Sequence, residues 1–175
     1  MTPVYQTSTY AQAAPGDHKG HEYGRVTNPT RTALEGNLAA LESAQHGICF
    51  SSGVAATDAI VKCLRPGDHI VASNDLYGGT YRLIRQVFGP FDISSDFVDM
   101  TDLDVVRNAI KPETKLLWIE TPTNPLVRVV DISALSKLAH EYDVVAVVDN
   151  TFASPILQRP LEQGADLVVH STTKY

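Results

Sequence analysis

The sequence contains only two cysteines in 175 residues and no long apolar run. Cys49 and Cys63 are too few and too far apart for a zinc site or a Cys-x-x-Cys redox pair, so we expect both thiols to lie in the core. No apolar run approaches the roughly 20 residues that a membrane helix needs. Residues 1–6 lack the basic and apolar regions of a signal peptide. These features predict a cytoplasmic protein with no membrane partner.

An excess of charge of one sign is also missing. The chain carries 14 basic and 20 acidic residues, for a net charge of -6, with no long block of either sign. This balance argues against nucleic acid as the main partner and favours small molecules as ligands. The six histidines show no spacing typical of a metal site, so no metal is expected, and His170 is expected to pack at a strand end.

The first part of the chain, residues 1–29, is rich in Thr, Gly, Pro, Tyr and Gln and lacks sustained periodicity. This composition predicts an extended arm, suited to contributing to a neighbouring subunit, before a folded part at residues 30–175. A helix is predicted to begin with Thr30 as its N-cap and to end at Gly47. Its apolar face has three leucines at spacings of four and three: Leu34, Leu38 and Leu41.

Beyond this helix, short apolar runs alternate with helical patterns. The predicted strands are residues 48–50, 69–72, 95–98, 115–119, 144–148 and 166–169. The predicted helices are residues 54–64, 80–88, 103–110 and 132–140. Strands that are apolar throughout and separated by helices predict an α/β fold, with a mostly parallel sheet and helices on both faces.

In an open parallel sheet, ligands bind beyond the carboxyl ends of the strands. Ser52, Gly53 and Val54 open a predicted helix, whose unpaired N–H groups suit a phosphate, although a Ser-Gly turn is also an ordinary helix cap. Tyr77 precedes two glycines and is either a ring that stacks on a planar ligand or a half-buried turn residue. Asn124, in a proline-rich turn, offers a donor and an acceptor to a ligand oxygen.

Two further strand ends carry Asp149 and Lys174. Asp149 follows five apolar residues, so its carboxylate is predicted either to need a cationic or hydrogen-bonding partner or to cap the next helix. Lys174 follows the last apolar run, near the carboxyl edge of the predicted sheet. Pyridoxal phosphate requires an amine that forms a Schiff base with its aldehyde and a carboxylate that keeps its ring nitrogen protonated. The two residues together predict a pyridoxal phosphate site.

Seven motifs, in order along the chain, resemble those of the Cys/Met-metabolism, or transsulfuration, enzymes. They are Pro3 to Tyr10, Glu22 to Arg31, Ser52-Gly53, Tyr77 to Thr80, Trp118 to Pro125, Val148 to Phe152 and Ser171 to Tyr175. The resemblance implies the fold-type I, or aspartate aminotransferase-like, large domain, of which residues 30–175 would be the N-terminal portion. It also implies pyridoxal phosphate as the cofactor and a homotetramer made of two active dimers.

The resemblance further implies a role for each site residue. Lys174 would form the Schiff base and shuttle protons, Asp149 would pair with the pyridinium nitrogen, and Tyr77 would stack on the ring and help in proton transfer. Asn124 would lie near the phenolic oxygen and the substrate carboxylate. The phosphate would be bound by Ser52, Gly53, Val54, Ser171 and Thr173, and by Tyr23 and Arg25 of the adjacent subunit.

For the reaction, the resemblance implies γ-replacement or γ-elimination on cystathionine or an O-acylhomoserine, with cystathionine β-lyase and O-acylhomoserine sulfhydrylase as alternatives. Gly79 stands where methionine γ-lyases typically carry Cys, which disfavours that branch, and Gly24 stands where many members carry Ser. Family members continue past Tyr175 and carry the substrate-binding arginine there. A truncated, catalytically incomplete cofactor-binding fragment is the alternative of another class, and we expect it to fold poorly because its sheet would have an unpaired edge.

Overall fold

The computed structural model describes residues 2–175, which form two compact units, residues 2–49 and residues 50–175. In the first unit, residues 2–28 are largely exposed and fold back on themselves, with a small antiparallel hairpin and an isolated antiparallel bridge between Thr9 and Tyr23. The hairpin pairs β1, Gln12–Ala14, with β2, Asp17–His18. That this segment contributes to a neighbouring subunit stays a prediction.

The helix α1, Pro29–Leu41, begins earlier than the sequence indicates, because Asn28 and not Thr30 is its N-cap. The Asn28 side chain accepts hydrogen bonds from the backbone N–H groups of Thr30 and Arg31, at 2.9 and 3.3 Å. Pro29 occupies the first helical position, where a missing N–H has no consequence. The Thr30 hydroxyl instead donates to the carbonyl of Pro3 at 2.9 Å, which ties the extended segment to the helix.

The end of α1 also differs from the prediction, which placed it at Gly47. Ser43 adopts a left-handed conformation with φ of 58°. The N–H of Ala44 then donates to the carbonyl of Ala39 at 2.8 Å, and the N–H of Ser43 donates to the carbonyl of Ala40. These two bonds close the helix by a Schellman motif. Leu34, on the predicted apolar face, is 47% exposed.

The second unit contains a five-stranded sheet in which every pair of neighbouring strands is parallel. The strands are β3, His69–Ser73; β4, Ser94–Val98; β5, Thr114–Glu120; β6, Val145–Asp149; and β7, Leu167–Val169. Their order across the sheet is β4-β3-β5-β6-β7. The α/β fold with a parallel sheet is therefore confirmed.

Helices cover both faces of this sheet. They are α2, Gly53–Val61; α3, Gly78–Arg82, continued by a π-helical turn at Leu83–Phe88; α4, Leu103–Ala109; α5, Ile132–Glu141; and α6, Ser154–Leu157. Short 3-10 turns lie at Gly89–Phe91, Pro160–Gln163 and Thr172–Lys174. The predicted helices at 54–64, 80–88, 103–110 and 132–140 all form, with small differences at their ends.

Successive strand residues contribute to two separate cores, because side chains alternate across a sheet. One core joins Leu117 and Ile119 of β5 to residues of α4 and α5, such as Val106 and Leu135. The other core joins Leu116 and Trp118 of the same strand to Val61 of α2 and Ile84 of the π-helical turn. Burial on both faces explains why these strands are apolar throughout.

Two expectations about residues 48–63 are wrong. The apolar run at 48–50 forms no strand, and Ile48 and Phe50 are 74% and 46% exposed. Cys49 is only half-buried and Cys63 is exposed, so neither thiol lies in the core. Cys63 lies two residues after the end of α2 and just before a turn in which the N–H of Asp68 donates to the carbonyl of Arg65 at 3.0 Å. Among residues 2–175, no helix is both long and apolar enough to span a bilayer.

Candidate functional site

A cavity of about 190 Å³ lies in the second unit and is lined by residues that follow the strands. Nine of the predicted site residues line it: Ser52, Gly53, Val54, Tyr77, Asn124, Asp149, Ser171, Thr173 and Lys174. They come from segments far apart in sequence, which the parallel sheet brings to its carboxyl edge. The lining also includes Thr57, Thr80, Glu120, Pro122, Thr151, Phe152 and Val169, to which the sequence analysis gave no role.

One wall of the cavity is the N-terminus of α2. The Ser52 hydroxyl caps this helix by accepting a hydrogen bond from the N–H of Ala55 at 3.1 Å. A Cβ atom added to Gly53 would lie 2.8 Å from the Cβ of Ser171. The absence of a side chain at Gly53 therefore lets the helix N-terminus approach the segment after β7. The hydroxyls of Ser171 and Thr173 are 2.7 Å apart, so both lie next to the helix N-terminus.

This wall has the chemistry of an anion site. The first N–H groups of a helix lack intrahelical partners and carry the positive end of the helix dipole. The hydroxyl groups of Ser52, Ser171 and Thr173 lie around the same point. The bond between Ser171 and Thr173 uses one hydroxyl hydrogen, which leaves two further donors. A phosphate group fits this arrangement.

A second wall carries the Asp149 carboxyl, at the end of β6. Asp149 accepts hydrogen bonds from the N–H and the hydroxyl of Thr151, at 3.0 and 2.6 Å. Burial raises the pKa of Asp149, while the two bonds from Thr151 oppose this shift. Because burial disfavours the charged form, a cationic ring nitrogen beside Asp149 would restore its ionised form. The carboxylate does not cap α6, whose N-cap is Ala153.

Glu120 lies beside Asp149, since the two residues are register partners at the ends of β5 and β6. The Glu120 side chain is nearly fully buried, at 5% exposure, and its Oε2 accepts a hydrogen bond from the N–H of Tyr77 at 2.9 Å. Burial, followed by the negative charge of Asp149, raises the pKa of Glu120 to about 8. Two carboxyl groups thus share this wall, and no ion pair among residues 2–175 includes either of them.

Tyr77 stands at the start of α3 and is 44% exposed, so its ring is accessible to a ligand. The ring lies over Gly79, because an added Cβ at that position would collide with its Cε1 atom. A side chain at residue 79 would therefore move the tyrosine ring. Of the two glycines after Tyr77, Gly79 is the one that leaves room for its ring.

Asn124 is held in the segment between β5 and α5, which is fastened by Asp75. The Asp75 carboxylate accepts hydrogen bonds from the hydroxyl of Thr123 and, at 3.2 Å, from the N–H of Leu126. Thr123 in turn accepts a bond from the N–H of Arg128 at 2.8 Å. These bonds fix the turn that presents Asn124 to the cavity.

Lys174 lies in the 3-10 turn that follows β7. Its backbone N–H donates to the carbonyl of Ser171 at 3.2 Å. Ser171 is itself connected to the Asp149 wall, because its N–H donates to the Thr151 hydroxyl at 2.9 Å. His170, just before this turn, is half-buried and meets the ring of Tyr175 edge-on. The predicted amine and the predicted carboxylate therefore belong to one connected cavity wall.

Tyr23 and Arg25 belong to the first unit, whereas the cavity belongs to the second. The Arg25 guanidinium carbon lies 4.9 Å from the centre of the Tyr23 ring, within the range of a cation–π contact. Between them, Gly24 donates its N–H to the carbonyl of Ser8 at 2.8 Å. Their role at a neighbour's phosphate site stays a prediction.

The sequence model of the family described as "Cys/Met metabolism PLP-dependent enzyme" matches residues 1–175. The chain belongs to this family. It is 54% identical to a probable cystathionine gamma-synthase of Herpetosiphon aurantiacus over its full length, which is 55% of that protein. It is 53% identical to a cystathionine beta-lyase of Coxiella burnetii, also over its full length, which is 46% of that protein.

Solved structures of Cys/Met metabolism enzymes have the same fold. The crystal structure of metB from Corynebacterium glutamicum superposes with a TM-score of 0.97 at 54% identity, over 100% of this chain and 46% of that one. A cystathionine gamma-lyase from Lactobacillus plantarum complexed with L-serine gives a TM-score of 0.93 at 45% identity, over 98% and 45% of the two chains. The chain thus spans about half the length of the relatives it matches.

The family is dependent on pyridoxal phosphate, and the cavity fits that group on two structural observations. The contact between Gly53 and Ser171 leaves an anion cradle that a side chain would fill. The Asp149 carboxyl lines the same cavity and belongs to no ion pair among residues 2–175, while the charge of nearby His170 favours its ionised form. Glu120 is the residue that the sequence reasoning missed. Its signal is the same as that of Asp149, since it also closes a run of apolar strand residues.

Proposed function

We propose that this chain is part of a pyridoxal phosphate-dependent transsulfuration enzyme that performs γ-replacement or γ-elimination on cystathionine or an O-acylhomoserine. The observation that carries the proposal is the single cavity lined by Lys174, Asp149 and the phosphate cradle at Gly53. Similarity to relatives named as gamma-synthase, gamma-lyase and beta-lyase supports this reaction class.

When bound, pyridoxal phosphate supplies an aldehyde and an electron-withdrawing ring. In the proposed arrangement, Lys174 provides the amine that holds the aldehyde carbon. Asp149 would bind the protonated ring nitrogen, and Tyr77 would stack on the ring. The N-terminus of α2, with the hydroxyls of Ser52, Ser171 and Thr173, binds the phosphate.

Proton transfer in this site is assigned to Lys174 and Tyr77. As a free amine, Lys174 would be a base able to take a proton from the substrate's alpha carbon and return one to a neighbouring carbon. The Tyr77 phenol, which also lines the cavity, assists this transfer or activates the substrate amine. Asn124 orients the substrate carboxylate through its amide group.

The decisive experiment is borohydride reduction of the intact, cofactor-loaded protein, followed by peptide mapping. The reduced cofactor should remain as a covalent label on Lys174, and the visible absorbance band should be lost. Lys174→Ala should abolish both band and label, whereas Lys137→Ala, which removes an exposed lysine of α5, should preserve them. Label on a different lysine, or none at all, would refute the proposed site.

The reaction branch is tested by the acceptor and by the products. A gamma-synthase should use cysteine faster than sulfide with an O-acylhomoserine, and a sulfhydrylase should show the reverse. A gamma-lyase should release cysteine from cystathionine, whereas a beta-lyase should release homocysteine. A catalytically incomplete cofactor-binding protein would show the absorbance band without any of these products; its motivation is the half-length coverage of the relatives.

We further propose that Tyr23 and Arg25 act on the phosphate of the adjacent subunit in a tetramer of active dimers. The support is their position in a separate, largely exposed unit. Mixing Arg25→Ala subunits with Lys174→Ala subunits should restore activity, because one site of each mixed dimer then has both residues. Full mixing predicts recovery to about a quarter of the wild-type rate. No recovery despite demonstrated subunit exchange would place Arg25 in its own subunit's site.

A further inference from the structure

Glu120 is the one buried carboxyl of the cavity to which the proposed reaction assigns no task. It closes β5 at 5% exposure, lines the cavity and is the register partner of Asp149 on the neighbouring strand. A buried carboxylate without a cationic partner is costly, so a group kept in this position must have a compensating role. Its contacts indicate what that role is.

The first contact is with the tyrosine segment. The Oε2 atom of Glu120 accepts the N–H of Tyr77 at 2.9 Å, across 43 positions of sequence. Tyr77 is the N-cap of α3, and its own side chain makes no capping bond there. Glu120 is therefore a side chain that fixes the Tyr77 backbone over the cavity, while Gly79 leaves room for the ring.

The second contact is electrostatic. Asp149 lies beside Glu120 at the strand ends, and neighbouring strands are only about 4.8 Å apart. Register partners project from the same face of the sheet, so two negative charges at these positions would repel each other, and the repulsion favours a proton on one of the two carboxyls. Asp149 has two hydrogen bonds from Thr151 that favour its charged form, whereas Glu120 has the single bond from Tyr77.

We propose that Glu120 is a positioning residue: it fixes the backbone of Tyr77 and keeps a proton beside Asp149, so that Asp149 is the carboxyl that carries the negative charge. This inference rests on the proposed function, because it gives Tyr77 and Asp149 their tasks. The other ionisable groups around Glu120 are Asp75 after β3, the Tyr77 phenol before α3 and Lys174 after β7. Among these, the negative charge of Asp75, like that of Asp149, raises the pKa of Glu120 and so favours its protonated form.

The positioning claim is tested by hydrogen exchange of the Tyr77 amide in the intact, cofactor-free protein. Glu120→Gln retains a carbonyl oxygen that accepts the N–H, so the amide should stay protected. Glu120→Ala removes the acceptor, and exchange should become about 5- to 10-fold faster. Glu113→Gln, an exposed glutamate just before the same strand, is the matched control and should change nothing. Equal protection in all four proteins would overturn the claim.

The proton claim is tested by ¹³C NMR titration of the glutamate carboxyl in the cofactor-free protein and by the visible absorbance of the loaded protein. One carboxyl signal should titrate near neutral pH and should disappear in Glu120→Gln but not in Glu113→Gln. The loaded Glu120→Gln protein should lose the part of the absorbance change that follows this titration. A Glu120 signal that titrates in the ordinary glutamate range would refute the claim. Borohydride labelling of Lys174 is independent of all these results, so failure of the proposed function remains distinguishable.

Discussion

The two edges of the parallel sheet carry ionisable side chains in opposite arrangements. At the amino edge, buried His69 has its Nδ1 atom 2.7 Å from the Thr114 hydroxyl and its Nε2 atom 3.3 Å from Asp96. Asp96 also binds the Lys111 ammonium at 2.6 Å. Thr114 accepts the backbone N–H of Lys111 at 2.8 Å, which leaves its hydroxyl hydrogen for His69. Each polar group of this cluster thus has a partner from the chain itself.

At the carboxyl edge, the polar groups are oriented toward a cavity. Glu120 and Asp149 lie side by side and belong to no ion pair among residues 2–175, and the hydroxyls of Ser171 and Thr173 line the same space. The edges belong to the same sheet and differ in their contacts: the polar groups of the amino edge bind one another, whereas those of the carboxyl edge line the cavity.

The largest expected difference between the edges is in catalysis. Asp149→Asn removes the charge that we propose binds the ring nitrogen, and it should lower kcat about 10²- to 10³-fold, the usual effect of losing one charge-stabilising group. Asp96→Asn, the corresponding change at the amino edge, should leave kcat unchanged. Steady-state kinetics of the intact, loaded enzyme measures both. If Asp96→Asn were as damaging as Asp149→Asn, the distinction between the edges would fail.

The second difference is in the pH dependence of stability. Glu120 has a pKa of about 8 in the folded protein, above its ordinary value of 4.5, so the folded state holds this proton more tightly than the unfolded state. The stabilisation is complete below the ordinary pKa and is lost as the pH rises through 8. Between pH 5.5 and pH 7.5 it should fall by about 2–3 kcal/mol, which urea unfolding of the cofactor-free protein measures against Glu120→Gln.

The amino edge should respond to pH in the opposite direction. Burial, followed by the charge of Lys111, lowers the pKa of His69, and a hydrogen bond from Lys111 lowers the pKa of Asp96. These groups stabilise the fold above their ordinary pKa values, and that stabilisation is lost as the pH falls. His69→Gln should therefore reduce the loss of stability at acid pH, without changing the loss of stability that Glu120 causes at alkaline pH. If Glu120→Gln and His69→Gln changed the pH dependence of stability in the same way, the opposite responses of the two edges would be contradicted.

The sequence indicates more of the carboxyl edge than of the rest of the molecule. Asp149 and Glu120 both interrupt an apolar pattern, and such an interruption is visible without a structure. The Gly53–Ser171 contact was not predictable from periodicity, because it depends on how closely α2 approaches the segment after β7. The strand predicted at 48–50 was wrong because an apolar run alone does not specify a pairing partner.

The ends of the helices and the burial of the thiols also could not be predicted from the sequence pattern. Asn28 and Thr30 are both suitable N-cap residues for α1. Asn28 is the N-cap because Pro29 can occupy only the first helical turn. Its end depends on Ser43 adopting a left-handed conformation, which serine does infrequently. Cys63 is exposed and lies two residues past the end of α2, and residue type alone predicts neither where the helix ends nor which side of it a thiol occupies.

The close contact at the phosphate cradle gives a smaller predicted effect. Gly53→Ala would place a methyl group 2.8 Å from the Ser171 Cβ, so the helix N-terminus and Ser171 must separate. The affinity for pyridoxal phosphate should fall about tenfold, as expected for about 1.4 kcal/mol of lost contact. Gly89→Ala, where an added Cβ meets nothing within 4 Å and φ is -52°, is the matched control. Equal cofactor affinity in the two variants, measured by absorbance titration, would contradict the proposed cradle.

The smallest expected effect is at the paired charges of the amino edge. Lys111 and Asp96 are 48% and 43% exposed, so solvent screens their attraction, and Lys111→Met should lower stability by only about 0.2–1 kcal/mol. Its clearer consequence is on His69, whose pKa should rise because a nearby positive charge is removed. NMR titration of the His69 ring measures this shift, and cofactor absorbance should be unchanged. An altered absorbance spectrum would mean that the amino edge influences the cavity, since no described contact of Lys111 reaches it.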